Sequence, residues 1–145
     1  MRFIERNRYL APTVVRVAIS LVFLWFGLTQ IFNPQMIAAY APVWAENFPL
    51  GGTIGFVQMN GIFETIFGTL LILGLFTRVS AFLLAIHLLG IISQLGYNDI
   101  AVRDVGLMLV TIGIWLHGPD EKSLDSRIKP KLEGKVVGKI LYFFN

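Results

Sequence analysis

Gln30, Gln58, Asn60, Glu64, His87, Gln94, Arg103 and Asp104 interrupt runs of otherwise apolar residues. Two carboxylates and an imidazole are groups that accept and release protons, and a guanidinium with several amides is a set of donors for a carbonyl or other acceptor. In a lipid-facing run, an ionised side chain at mid-depth costs about 2.5–3.5 kcal/mol, so such residues must turn inward and find partners. The spacing supports convergence. Asn60 and Glu64 are four apart and share one helix face, and His87 and Gln94 are seven apart with Gly90 between them to leave room. Arg103 and Asp104 are consecutive and leave a helix about 100° apart. Each is therefore expected to look to another helix: Arg103 to Glu64 across a depth offset of about 9 Å, and Asp104 to His87 or Gln94. A register-fixing ion-pair network and a ligand or proton site are both open readings. The number of polar groups at similar depth favours a site that opens at the outer end of the bundle, with the inner halves of the spans read as aliphatic.

Other chemistries are excluded or poorly supported. The chain contains no cysteine, which removes thiol relays, iron–sulfur ligation and c-type haem attachment. His87 lies near mid-span and His117 at a span end, too far apart in depth for bis-histidine haem, and no metal-ligand spacing, nucleotide loop or Ser-His-Asp arrangement occurs. No haem, iron–sulfur or metal cofactor is expected, and no nucleic-acid partner.

The elements that must hold these residues follow from composition. Of 145 residues, 55% are hydrophobic and 14% charged, and mean hydropathy is +0.69. A soluble domain carries about a quarter charged residues; here most of the charges gather at the two ends of the chain. The expectation is an all-α polytopic membrane protein, an antiparallel four-helix bundle with spans at about 13–32, 55–76, 79–97 and 100–116. Residues 1–128 form this transmembrane domain and 129–145 a basic, aromatic interfacial tail. Arg2, Arg6, Arg8, Arg16, Arg78 and the lysines from Lys122 to Lys139 fall on one side, and residues 34–54 hold no lysine or arginine. The positive-inside rule then puts both termini in the cytoplasm of a cell-membrane protein, with Arg16 marking the inner edge of the first span. A retained anchor is favoured over a signal peptide cut near Ala39-Tyr40-Ala41, because the apolar run is long and Pro42 would follow the cut.

In the 34–54 connection, Tyr40, Trp44 and Phe48 recur every fourth residue, which predicts a short amphipathic helix, either a belt anchor or a lid. Gly61/Gly68 and Gly106/Gly113 are seven apart and read as close-packing positions. The tail is suited to lying on the bilayer or docking a membrane or peripheral protein, and a homo-oligomer is compatible with the sequence.

The segments LVFLWFGLTQIFNP (21–34), GIFETIFGTLLILGLFTRVSAFLLAIHLL (61–89), AVRDVGLMLVTIGIWLHGP (101–119) and SLDSRI (123–128) resemble the DoxX/DoxD-like membrane proteins. The resemblance implies a four-helix membrane protein tied to respiratory or redox systems, whose relatives include a subunit of thiosulfate:quinone oxidoreductase. It marks Glu64, Arg103 and Asp104 as family-like positions, with His87 an addition. The leading expectation is a quinone-binding or redox-complex subunit. Glu64 or Asp104 would handle protons, Arg103, His87 or Gln94 would face the ring carbonyls, and Trp25, Phe26 and Phe63 would hold the ring. A non-catalytic scaffold for a partner oxidoreductase and a small proton-coupled transporter are the alternatives.

Overall fold

A computed structural model describes Glu5 and residues 7–132, with side chains through Ile128. Four long helices make up the fold: α1 (Ala11–Phe32), α2 (Gly52–Leu73), α3 (Thr77–Leu95) and α4 (Asp99–His117). A short α5 (Leu124–Leu132) follows. All four long helices are long and apolar enough to cross a membrane.

Local chemistry sets the boundaries. Pro12 stands in the first turn of α1, where a missing N–H costs nothing, and the helix ends at Asn33 before Pro34. The second span runs from Gly52 to Leu73, three residues earlier at each end than the hydropathy suggests. Gly74 takes a left-handed conformation (φ 69°), and the Gly74 and Leu75 amides bond back to the Leu71 and Leu70 carbonyls. At α4 the Asn98 side chain accepts from the Ala101 amide, and Gly118 (φ 78°) closes the helix.

The connection between α1 and α2 is not one amphipathic helix. A single turn at Gln35–Ala38 and a 3-10 turn at Val43–Asn47 are separated by Pro42, whose backbone is extended. That break sends Trp44 and Phe48 onto the same partner: both meet the Phe56 ring edge-on, with centroids 4.9 and 5.6 Å away.

Helices in a membrane gain little from hydrophobic exclusion, so close contact depends on small residues and shape. Here α1 lies along α2, and α3 along α4, while the two pairs meet more loosely. A Cβ at Gly61 would sit 2.6 Å from the Gly27 carbonyl oxygen, and one at Gly27 would sit 2.9 Å from that of Gly61. Gly68 fits against Phe23. The expected packing role fails on the fourth span: added Cβ atoms at Gly106 and Gly113 would meet nothing within 4 Å. Ile19, Phe23, Leu71, Ala81, Leu84, Leu88 and Ile114 form the buried core.

The end of the bundle carrying the termini is not simply aliphatic. Arg16 is buried rather than placed at an interface, and its Nε donates to Asp120 Oδ2 at 2.6 Å. Its Nη1 donates to the Leu71 and Ile72 carbonyls at 2.7 and 2.6 Å, satisfying groups that α2 leaves open at its C-terminus. The fully buried Asp125 accepts from the Phe76 and Thr77 amides and the Thr77 hydroxyl, capping α3. Its own amide donates to the Gly74 carbonyl. A cation thus sits on a helix C-terminus and an anion on the adjacent helix N-terminus, each matched to the local dipole.

Burial would raise the Asp120 carboxyl. Hydrogen bonds from Arg16, Thr13 and the Lys122 amide, with the Arg16 charge, outweigh that and hold it below the usual carboxylate value. The basic tail begins within α5, and its part beyond residue 132 lies outside the described residues, as do Arg2 and Arg6.

Candidate functional site

At the opposite end, where the 33–51 connection crosses, the loosely joined helix pairs leave a cavity of about 570 Å³. Every long helix contributes to its wall, and Tyr40, Pro42 and Trp44 reach it from the connection. The lining is mainly aliphatic and aromatic, with Gln30, Asn60, Glu64, His87, Gln94, Arg103 and Asp104 as its principal polar members. A space this size is within the range of small-molecule sites, and a few placed polar groups in an apolar wall are what such sites require.

One chain of hydrogen bonds crosses three helices. Asn60 Nδ2 donates to Gln30 Oε1 at 2.8 Å, and Gln30 Nε2 donates to Glu64 Oε2 at 2.7 Å. The other Glu64 oxygen lies 3.1 Å from His87 Nε2. Both carboxylate oxygens of the buried Glu64 are therefore engaged, one by an amide and one by an imidazole. The His87 ring is also held by Phe63, centroid to centroid 4.8 Å. Measured from helix ends, Gln30 should be much shallower than Glu64. The Gly27–Gly61 crossing removes that difference, because α2 projects past the end of α1 and brings the middle of one helix to the end of the other.

The second cluster corrects the sequence expectation. Arg103 does not reach Glu64, and Asp104 does not pair with His87 or Gln94. Arg103 instead folds back on its neighbour, with Nε 2.8 Å and Nη2 2.7 Å from Asp104 Oδ1. The 100° between their Cβ directions is spanned by the length of the arginine side chain. Asp104 is buried, whereas the Arg103 side chain is 47% exposed, and its guanidinium lies 4.8 Å from the centre of the Phe26 ring.

Gln94 lines the cavity from an exposed position. Gln58 does not line it; its amide donates to the Ile31 carbonyl at 3.3 Å along the α1–α2 contact. Of the aromatic residues, Phe26 faces the cavity and Phe63 backs His87, but Trp25 is 72% exposed and turned away. Tyr40 and Trp44, read from their spacing as part of a belt anchor or a lid, stand in the cavity wall. Their spacing signalled aromatic clustering, but the fold of the connection decides where it points. Among the described residues no group of three His, Asp or Glu side chains is placed to hold a metal ion.

Together these features define a four-helix membrane protein with a polar cluster set into an apolar cavity at one end of its bundle. Residues 11–96 match the DoxX family, and the chain belongs to it. The matched stretch takes in α1 to α3 and so includes Gln30, Asn60, Glu64 and His87. The chain is also similar to the uncharacterized membrane protein Rv3486 of Mycobacterium tuberculosis. The two are 28% identical over an alignment of 139 positions covering 83% of each chain. No solved structure matches it.

Proposed function

We propose that the protein binds a small ring-bearing amphiphile of the quinone class in this cavity, as the membrane subunit of a redox or respiratory system. The observation that carries the reading is the Gln30–Glu64–His87 chain, an oriented acid and imidazole in the wall of an apolar cavity large enough for a substituted ring. The donor set fits such a ligand. The His87 ring and the Arg103 guanidinium offer hydrogen bonds to acceptor oxygens, Glu64 and Asp104 accept from hydroxyl groups, and Phe26 supplies an aromatic face. Gln30 fixes the rotamer of Glu64, and Phe63 that of His87, so the polar groups are positioned before a ligand arrives.

A bound quinone would supply the redox-active ring. The side chains of this protein would hold it, exclude water and accept or release protons at Glu64 and His87, while electrons would come from a partner protein. By the bias of lysine and arginine, the cavity end faces away from the cytoplasm and both termini lie inside it in the cell membrane. The tail beyond α5 is suited to docking a partner, and self-association is compatible with the outward-facing surface of α4.

Trp44 lies in the cavity wall and provides the test. In a Trp25→Phe, Trp115→Phe background, it is the one remaining tryptophan of three. A short-tailed benzoquinone should quench its fluorescence saturably. Glu64→Gln and Arg103→Ala should each weaken binding about tenfold, equivalent to about 1.4 kcal/mol. Unsaturable quenching, or affinity unchanged in both variants, refutes the reading. A second reading, a network that only fixes helix register, is favoured by the mutual satisfaction of Gln30, Asn60 and Glu64. It predicts loss of stability in Glu64→Gln with no ligand effect.

A further inference from the structure

The cavity does not end at the helix surfaces. Ile86 and Gly90 line it, and both are exposed, Ile86 at 49%. At Gly90 there is open space, since an added Cβ would meet no atom within 4 Å. Its position follows from helix register. Glu64 faces His87 across the antiparallel α2–α3 pair, so Asn60, four residues back along α2, stands across from Gly90 and Ile91. α2 and α3 are joined by a tight turn at the far end, yet they pack more loosely than α1 with α2 or α3 with α4. Gly90 lies three residues, or about 4.5 Å of helix rise, from His87. It also lies about 7.5 Å inside the end of α3, within an apolar span.

We infer that the ligand reaches this site sideways from the bilayer, through the window between α2 and α3 at Gly90, and that its hydrocarbon tail remains in that window when the polar head is at Glu64 and His87. This rests on the ligand-binding reading of the cavity and narrows it to a membrane-dissolved amphiphile with an alkyl or prenyl tail. The chemistry of the opening suits a chain of methylenes: Ile86 and Ile91 set apolar side chains on either side of Gly90, whose carbonyl is taken by the Ser93 hydroxyl, and Glu64 and His87 lie beyond them.

The test compares a benzoquinone bearing a ten-carbon tail with its tailless parent, using the full-length protein in the Trp25→Phe, Trp115→Phe background, here called native, in lipid nanodiscs and stopped-flow quenching of Trp44. Gly90→Phe fills the window, Gly90→Leu fills it with less bulk, and Gly90→Ala leaves it open. Association and release of the tailed quinone should each slow at least tenfold in Gly90→Phe and severalfold in Gly90→Leu, while Gly90→Ala behaves as the native chain. The tailless ring should be slowed clearly less than the tailed quinone in each bulky variant. If the native protein binds both quinones and the bulky variants leave tailed-quinone rates unchanged, or slow both ligands alike, the window is refuted and the cavity reading survives. If the native protein binds neither, the cavity reading itself falls. Should Gly90→Phe fail to fold, as judged by size-exclusion chromatography and circular dichroism, Gly90→Leu decides.

Discussion

Asp120→Asn isolates the energetic role of the clamp at the end carrying the termini. The substitution keeps size and an acceptor for Thr13 and the Lys122 amide, but it leaves the Arg16 guanidinium without its counter-charge. Arg16 and Asp120 side chains are each 3% exposed and bonded at 2.6 Å, so water cannot replace the missing carboxylate without opening the fold. Removing one partner of a buried pair costs about 3–5 kcal/mol. Arg16 keeps its bonds to the Leu71 and Ile72 carbonyls, which places the expected loss near the lower figure, about 3 kcal/mol. Arg16→Met leaves Asp120 charged and exposes those carbonyls, with a similar cost. The double variant has no unpaired charge, so its loss should fall short of the sum by at least about 2 kcal/mol.

The assay is reversible unfolding in mixed micelles by increasing dodecyl sulfate, followed by far-ultraviolet circular dichroism. The Asp120 pKa lies below its unfolded value, so its stabilisation is full above the unfolded carboxylate pKa of about 3.9 and is lost as pH falls through the lower native value. Native stability should therefore drop on acidification below about pH 4, and Asp120→Asn should lack this component. A loss under about 0.5 kcal/mol in Asp120→Asn, or strict additivity in the double variant, would refute the clamp.

Two further outcomes follow from the helix contacts and the charge pattern. Gly61→Ala should cost about 1–3 kcal/mol in the same assay because its methyl group meets the Gly27 carbonyl, whereas Gly106→Ala, facing open space, should be neutral within about 0.5 kcal/mol. Equal effects would refute the crossing as the determinant. The absence of cysteine makes single-cysteine labelling clean. In intact cells an impermeant maleimide should label Glu46→Cys, and Glu121→Cys only after permeabilisation; the reverse pattern overturns the orientation.

Four spans were legible in the sequence because apolar length alone demands them, and Gly, Pro and Asn supplied the ends to within a few residues. The polar residues of the cavity were visible for a related reason: each is conspicuous in an apolar run. Their pairing was not visible. Sequence spacing gives direction around one helix but not the stagger between two, and the Gly27–Gly61 crossing sets that stagger. The angle between adjacent Cβ atoms points Arg103 to Glu64 on another helix, but a side chain of its length can double back on Asp104. Arg16 was hidden among the basic residues that signal topology. Asp120 and Asp125 carried no signal because the turn that folds them under α2 and α3 has no periodicity to read. The one available signal was Arg16 itself, four residues into an otherwise unbroken apolar segment with Ser20 beside it on the same face.

The partner of Arg16 lies 104 residues further along the chain. During synthesis the first helix is made long before Asp120 exists, and α3 is made before Asp125 can cap it. Until the fourth helix has emerged, the guanidinium has no Asp120 to bind. Only then can the last turn swing under the bundle and close both ends at once. The order of manufacture thus makes the final few residues of the helical domain the ones that report that all four spans are in place.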